Sequence, residues 1–146
     1  MPPVLRQLLT FASSEKRPDL GVILVDSDGN DDRKTFVESA LVGIPLPHVV
    51  AVPIQEFESW LIADHRAVVS ILAPAPNQPS SIEKLDPHEA KSLLGRWISA
   101  ASGSPAPREV RLTLAQTCDL GTLDRLSAFR VFRDELRSRL NQLQGR

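Results

Sequence analysis

Two short apolar runs constrain this chain's fold more than any other feature. Gly21-Val-Ile-Leu-Val-Asp26 and His48-Val-Val-Ala-Val-Pro53 are rich in β-branched residues and show no polar alternation. Runs of this length and composition read as strands buried on both faces, as in a parallel sheet. Between them, Asp31-Asp32-Arg33-Lys34 opens a helix to about Val42, with Phe36, Val37, Ala40 and Leu41 as its apolar stripe. Acids in the first turn suit the helix dipole, and Gly43 and Pro45 stop the helix. Strand, helix, strand is a βαβ unit, with parallel strands and a right-handed crossover. The expected fold class is therefore α/β: a small, parallel, Rossmann-like sheet with flanking helices.

The remainder of the chain reads as helical. Leu5, Leu8, Leu9 and Ala12 follow helical spacing after Pro2 and Pro3, and Pro18 and Gly21 end that helix. Glu56 to Leu72 reads as one helix with Phe57, Trp60, Leu61, Ala63 and Val68 facing inward. The proline-rich loop 73–79 permits neither helix nor central strand. Asp86-Pro87-His88-Glu89 then caps a helix to about Ala101 that buries Leu93, Leu94, Trp97 and Ile98. A further helix is expected over 108–117. A last one, capped by Thr122 or Asp124, runs to Leu143 and repeats Leu126, Phe129, Phe132, Leu136, Leu140 and Leu143 at helical spacing. One domain over 1–146 is expected, with a βαβ half over 1–72 and a helical half over 73–146.

Composition narrows the function classes. The 146 residues are 42% hydrophobic and 24% charged, enough to build a core without disulfides. A formal net charge of -1 supplies no global positive field for nucleic acid or anionic membrane. Cys118 is the only cysteine, so no intrachain disulfide forms. No run approaches the roughly 20 apolar residues a bilayer requires, and no signal peptide is evident. A soluble, cytoplasmic protein without a membrane partner is expected.

The chemistry concentrates at the strand ends. Asp26 closes the first strand and Asp28 follows two residues later. Ligands of parallel sheets gather outside the carboxyl ends of strands. Carboxylate oxygens are what hard cations prefer, and two unpaired carboxylates at one point repel unless a cation joins them. Magnesium, or manganese, is the expected cofactor. Asn30, Asp31 and Asp32 add oxygens nearby, although turn and cap roles account for them equally well. Gln55-Glu-Phe-Glu-Ser-Trp-Leu-Ile-Ala-Asp64 leaves the second strand at the same edge, so Glu56 and Glu58 join Asp26 and Asp28 as candidate metal ligands. Being two apart on a helix, they diverge, and one of them should point inward. A calcium EF-hand does not fit: counted from Asp26, the sixth position is Asp31 instead of Gly and the twelfth is Val37 instead of Glu.

Val22-Ile-Leu-Val-Asp-Ser-Asp28, together with Gln55 to Asp64, resembles an uncharacterised bacterial and phage family of Toprim-like proteins. The Ser127-Ala128-Phe129 step is similar to that family's tail, and the likeness covers most of the chain. It implies a Toprim-like domain that binds magnesium and cuts or joins phosphodiester bonds, as a nuclease in phage defence or in DNA or RNA processing. Asp26 and Asp28 would then be metal ligands and Glu58 an accessory acid, these three forming the catalytic set. The Toprim pattern opens with a strand carrying a catalytic Glu followed by Gly. No Glu-Gly pair follows a strand in this chain, which begins Met1-Pro2-Pro3 and is expected to start after that unit. A non-catalytic or half-site subunit, completed by a second protein chain or a homo-oligomer, is therefore the alternative. The strand ending Asp-x-Asp-Gly is also similar to haloacid-dehalogenase-type phosphatases. Asn30 stands where that family carries Thr or Val, and no late acidic pair on a strand is found.

Arginines crowd the C-terminal part. Arg130, Arg133 and Arg137 share one helix face and form a candidate nucleic-acid-binding stripe, with Asp124, Asp134 and Glu135 offsetting them. His48, His65 and His88 lack metal-ligand spacing, and no catalytic triad is indicated.

Overall fold

A computed structural model of the chain describes residues 3–145. Two parallel strands, β1 (Gly21–Leu24) and β2 (His48–Ala51), form its sheet in the register Gly21↔His48 to Leu24↔Ala51. The helices described are α1 (Pro3–Ala12), α2 (Arg33–Ala40), α3 (Glu58–Ala63), α4 (His65–Ile71), α5 (Glu89–Ala100), α6 (Pro107–Thr117), α7 (Leu120–Leu123) and α8 (Ser127–Gln144). A single 3₁₀ turn, Ile82–Lys84, precedes α5. The chain is thus mixed α/β, with a small parallel sheet and flanking helices.

Three apolar clusters hold these elements. Ile23 and Val50 meet Leu8, Leu41 and Leu46 on one sheet face, beneath α1 and α2. On the other face Ala51 meets Trp60, Leu123, Leu126 and Phe129. There Trp60 packs edge-to-face on Phe129 at 5.2 Å and stacks on Phe132 at 5.8 Å. A third cluster, with Leu61, Ile62, Val68, Leu94, Ile98 and Leu114 at its centre, joins α3 to α6. The βαβ half and the helical half therefore share their cores.

Several expectations change. β1 is not buried on both faces: Ile23 is covered, but Val22 is 53% exposed and Leu24 is exposed too. The helices that cover this face stand over β2 and leave β1 bare. Phe36 is 68% exposed, and α2 packs through Val37 and the Leu41 that follows it. On α1, Leu8 is buried while Leu9 is exposed, and the Leu5 side chain and Pro2 lie outside what is described. Glu56 to Leu72 is not one helix. Asp64 adopts an extended backbone (φ -88, ψ 92), and its carboxylate accepts the Arg66 and Ala67 N–H groups, ending α3 and starting α4. The residue before α5 is His88, in a left-handed conformation (φ 67), while Glu89 Oε2 accepts the Asp86 N–H at 2.9 Å. The last helix begins at Ser127, later than Thr122 or Asp124. Those two fall in and just after α7, whose cap is Asp119, accepting the Thr122 N–H at 2.7 Å. The first turn of α8 is held by Glu83, which accepts the Ser127 hydroxyl at 2.8 Å and the Ala128 N–H at 3.3 Å.

No helix of the described residues is long and apolar enough to cross a membrane.

Candidate metal centre

The two strand exits are zipped together beyond the sheet. The Val25 N–H donates to the Ala51 carbonyl at 3.0 Å, Ser27 to Pro53 at 3.3 Å and Asp28 to Gln55 at 3.0 Å. The Gln55 N–H returns a bond to the Ser27 hydroxyl at 2.7 Å. Asp28 (φ 48), Gly29 (φ 75) and Gln55 (φ 63) take left-handed backbone where both loops turn. Gly29 adopts that conformation freely; for Asp28 and Gln55 it costs energy, which the cross-loop bonds offset. Asp26 Oδ1 then accepts the Phe57 N–H at 2.7 Å. The acidic exits of β1 and β2 are side by side.

Each carboxylate has its own surroundings. Asp26 is half-buried. Burial pushes its pKa up; the Phe57 N–H opposes this, while Glu58, Asp28 and Glu56 add to the rise. Its second oxygen accepts no hydrogen bond from the described residues. Asp28 is exposed and lies 3.5 Å from Arg33. Glu58, at the first position of α3, lies 3.4 Å from the Arg111 Nε of α6. Glu56 differs: it is 2% exposed, and both its oxygens are taken, by His88 Nδ1 at 3.1 Å and by the Lys91 N–H at 2.9 Å. Glu56 ties the β2 exit to the N-terminus of α5. Asp31 and Asp32 are exposed; Asp32 precedes α2 without a side-chain cap bond, and its N–H is bound by Asn30 Oδ1 at 3.0 Å.

Asp26, Asp28 and Glu58 are therefore the acids available to a cation. Among the described residues, no group of three His, Cys, Asp or Glu side chains is placed to hold a metal ion. Magnesium does not require one: it keeps several waters and takes one or two carboxylates. The Arg33 and Arg111 contacts are long for charge-assisted bonds, which run near 2.7–2.9 Å. They hold Asp28 and Glu58 loosely, so the residues present fit a partly hydrated cation.

No family model, curated protein or solved structure matches this chain. The residues alone must carry any reading of function.

Other candidates are placed elsewhere. Arg133 is bound by Asp124 at 2.5 Å and Asp134 at 2.8 Å, whereas Arg130 and Arg137 are exposed. The stripe thus offers two open guanidinium groups on α8. Burial, then Asp64, pushes the Cys118 thiol up, which disfavours a thiolate nucleophile. His65 begins α4 with Nδ1 buried and unpartnered. Arg33, Arg111 and His88 are partners that the sequence did not single out, because their contacts span distant or differently folded segments. Arg33 also leaves its Nε buried without a partner.

The Asp26 environment predicts a pH effect on the metal-free protein. A carboxyl whose folded pKa is raised favours folding while protonated, and that contribution is lost as pH rises through the folded pKa. Ionised Asp26 therefore weakens the fold near neutrality. Asp26→Asn keeps an oxygen for the Phe57 N–H and removes the charge. In EDTA its Tm should exceed wild type near neutral pH. The gain should fade as pH drops and disappear well below the ordinary Asp pKa of about 3.9, where Asp26 is protonated in both states. Thermal unfolding at both pH values checks this.

Proposed function

We propose that this chain binds a divalent cation, magnesium or manganese, at Asp26, Asp28 and Glu58, one or two of them directly and the rest through bound water, and uses it on phosphodiester bonds. The observation that carries the reading is Asp26: a half-buried carboxylate with three acidic neighbours and, among the described residues, one oxygen free of hydrogen bonds and no cationic partner. A cation relieves that repulsion. A bound magnesium ion would polarise a phosphoryl oxygen and stabilise charge in the transition state.

The chain's own groups suit a phosphoryl ligand. Arg33 and Arg111 stand beside the carboxylates, and each is freed when a cation takes its acidic partner. A released guanidinium presents a planar fork to phosphate oxygens. The Phe57 N–H fixes one Asp26 oxygen and orients the other. A phosphatase in which Asp26 is the nucleophile is favoured less, since burial and three neighbouring acids oppose its ionisation.

Two measurements test the reading. Magnesium at about a hundred times its Kd should stabilise the protein by about 2.7 kcal/mol, a gain lost in Asp26→Asn. Polynucleotide hydrolysis with magnesium should fall at least a hundredfold in Asp26→Asn. A thermal shift that survives the substitution, or hydrolysis insensitive to it, rejects the proposal.

A further inference from the structure

β1 leaves one edge of the sheet open. In the β1–β2 ladder the Gly21 N–H donates to Pro47 at 2.8 Å and the Val25 N–H to Ala51 at 3.0 Å. Backbone groups of odd-numbered residues in β1 therefore point toward β2, and those of Val22 and Leu24 point away. No strand among the described residues takes that side. α8 covers β2 instead, packing through Phe129 and Phe132.

Of the devices that normally protect such an edge, β1 itself has only its shortness. Gly21-Val-Ile-Leu24 contains no lysine, no proline and no inward charge. Apolar surface continues on both faces of the strand. Val22 and Leu24, with Phe57, Trp60, Leu120 and Phe132, line a groove of about 250 Å³ on one face. Leu120 is exposed on that side, and Phe11 of α1 is exposed beside the other face. Two-stranded sheets are marginal by themselves, and a third strand commonly completes them.

We infer that β1 pairs antiparallel with β1 of a second copy of the chain, making a continuous four-stranded sheet across a two-fold axis. The edge is self-complementary. With the axis at Ile23, Val22 of one copy faces Leu24 of the other, and each such pair exchanges both N–H···O bonds. All the outward backbone groups of the two residues are thereby satisfied. The side chains of both Val22 and both Leu24 residues then share one face as cross-strand neighbours. Isologous contacts of this kind are the commonest oligomer interface. A four-residue edge is far smaller than the roughly 800 Å² per partner of a stable interface. Phe11 on one face and Leu120 on the other supply apolar area to extend it. A net charge of -1 leaves little repulsion between copies. The two acidic centres lie at opposite ends of the combined sheet, so this interface forms whether or not a cation binds.

Sedimentation of the full chain at micromolar concentration should give twice the monomer mass. Val22→Lys should give a monomer with an unchanged far-UV circular dichroism spectrum, because Val22 is exposed in the single copy. Register is tested separately in a Cys118→Ser background. The double variant Val22→Cys, Leu24→Cys should form an intermolecular disulfide on mild oxidation, and neither single variant should. A wild type that stays monomeric overturns the inference and leaves the edge to a strand of another protein. A dimer that survives Val22→Lys overturns it as well. So does cross-linking by Val22→Cys alone, which would place Val22 opposite itself.

Discussion

Asp64→Ala should destabilise the protein by about 2–4 kcal/mol, a fall of about 6–12 °C in Tm for a chain of this size. Asp64 is 5% exposed and its carboxylate accepts three backbone N–H groups. Oδ1 takes Arg66 at 3.1 Å and Ala67 at 3.4 Å, while Oδ2 takes Asp119 at 2.8 Å. The first two cap α4; the third anchors the turn before α7. Alanine leaves all three donors without their acceptor, the Ala67 N–H in a buried position, and an unsatisfied buried donor costs more than a hydrogen bond contributes. Asp64→Asn keeps one oxygen but turns an amide N–H toward a backbone N–H, so it should also lose stability. Urea unfolding of both variants checks this. A loss below about 1 kcal/mol for Asp64→Ala would show that water replaces the carboxylate.

Glu56→Ala should cost about 2–3 kcal/mol while leaving cation affinity within about twofold of wild type wherever the variant remains folded. The loss comes mainly from the Lys91 N–H at the start of α5, because His88 is largely exposed and its contact adds little. Glu58→Gln should do the reverse, weakening cation binding with little effect on stability, since Glu58 caps nothing and its Arg111 contact is long. Isothermal titration and urea unfolding on the same two variants separate the roles. Loss of binding in a well-folded Glu56→Ala would return Glu56 to the metal centre.

Much of this fold is legible in the chain because its local signals agree. The β-branched runs before Asp26 and Pro53 become β1 and β2, while α2 starts at Arg33 instead of Asp31 and ends at Ala40, ahead of the stops at Gly43 and Pro45. What escaped reading depends on partners distant in sequence. The apolar stripe of residues 56–72 continues through Asp64 without interruption, so periodicity alone reports one helix. The break arises because a carboxylate captures the next turn's N–H groups and a bond from Asp119, 55 residues away. The cap signature, an acid followed by N–H donors two and three residues on, was present but lay inside a stronger pattern.

Exposure was hidden for a related reason. Val22, Leu24 and Phe36 are apolar and in register with neighbours that are buried, but no described layer covers them. A run without polar alternation tells how a strand prefers to be surrounded, not whether the chain supplies the cover. At the acidic edge, residue types located the cluster, while its division of labour needed geometry. Glu56 and Glu58 look interchangeable in sequence. One is locked between His88 and Lys91, and the other meets only Arg111 at 3.4 Å and is near enough to raise the Asp26 pKa. Trp60, the most distinctive residue of its segment, packs on Phe129 and Phe132 as core.

The central claim is that acids from two adjoining strand exits share one hard cation. Electron paramagnetic resonance of free manganese, titrated with the protein, measures this without reference to any substrate. The signal of the free ion should fall with one manganese bound per chain in wild type, and it should be unchanged by Asp26→Asn. A wild type that leaves the free-ion signal intact, or an Asp26→Asn protein that depletes it equally, would contradict the account.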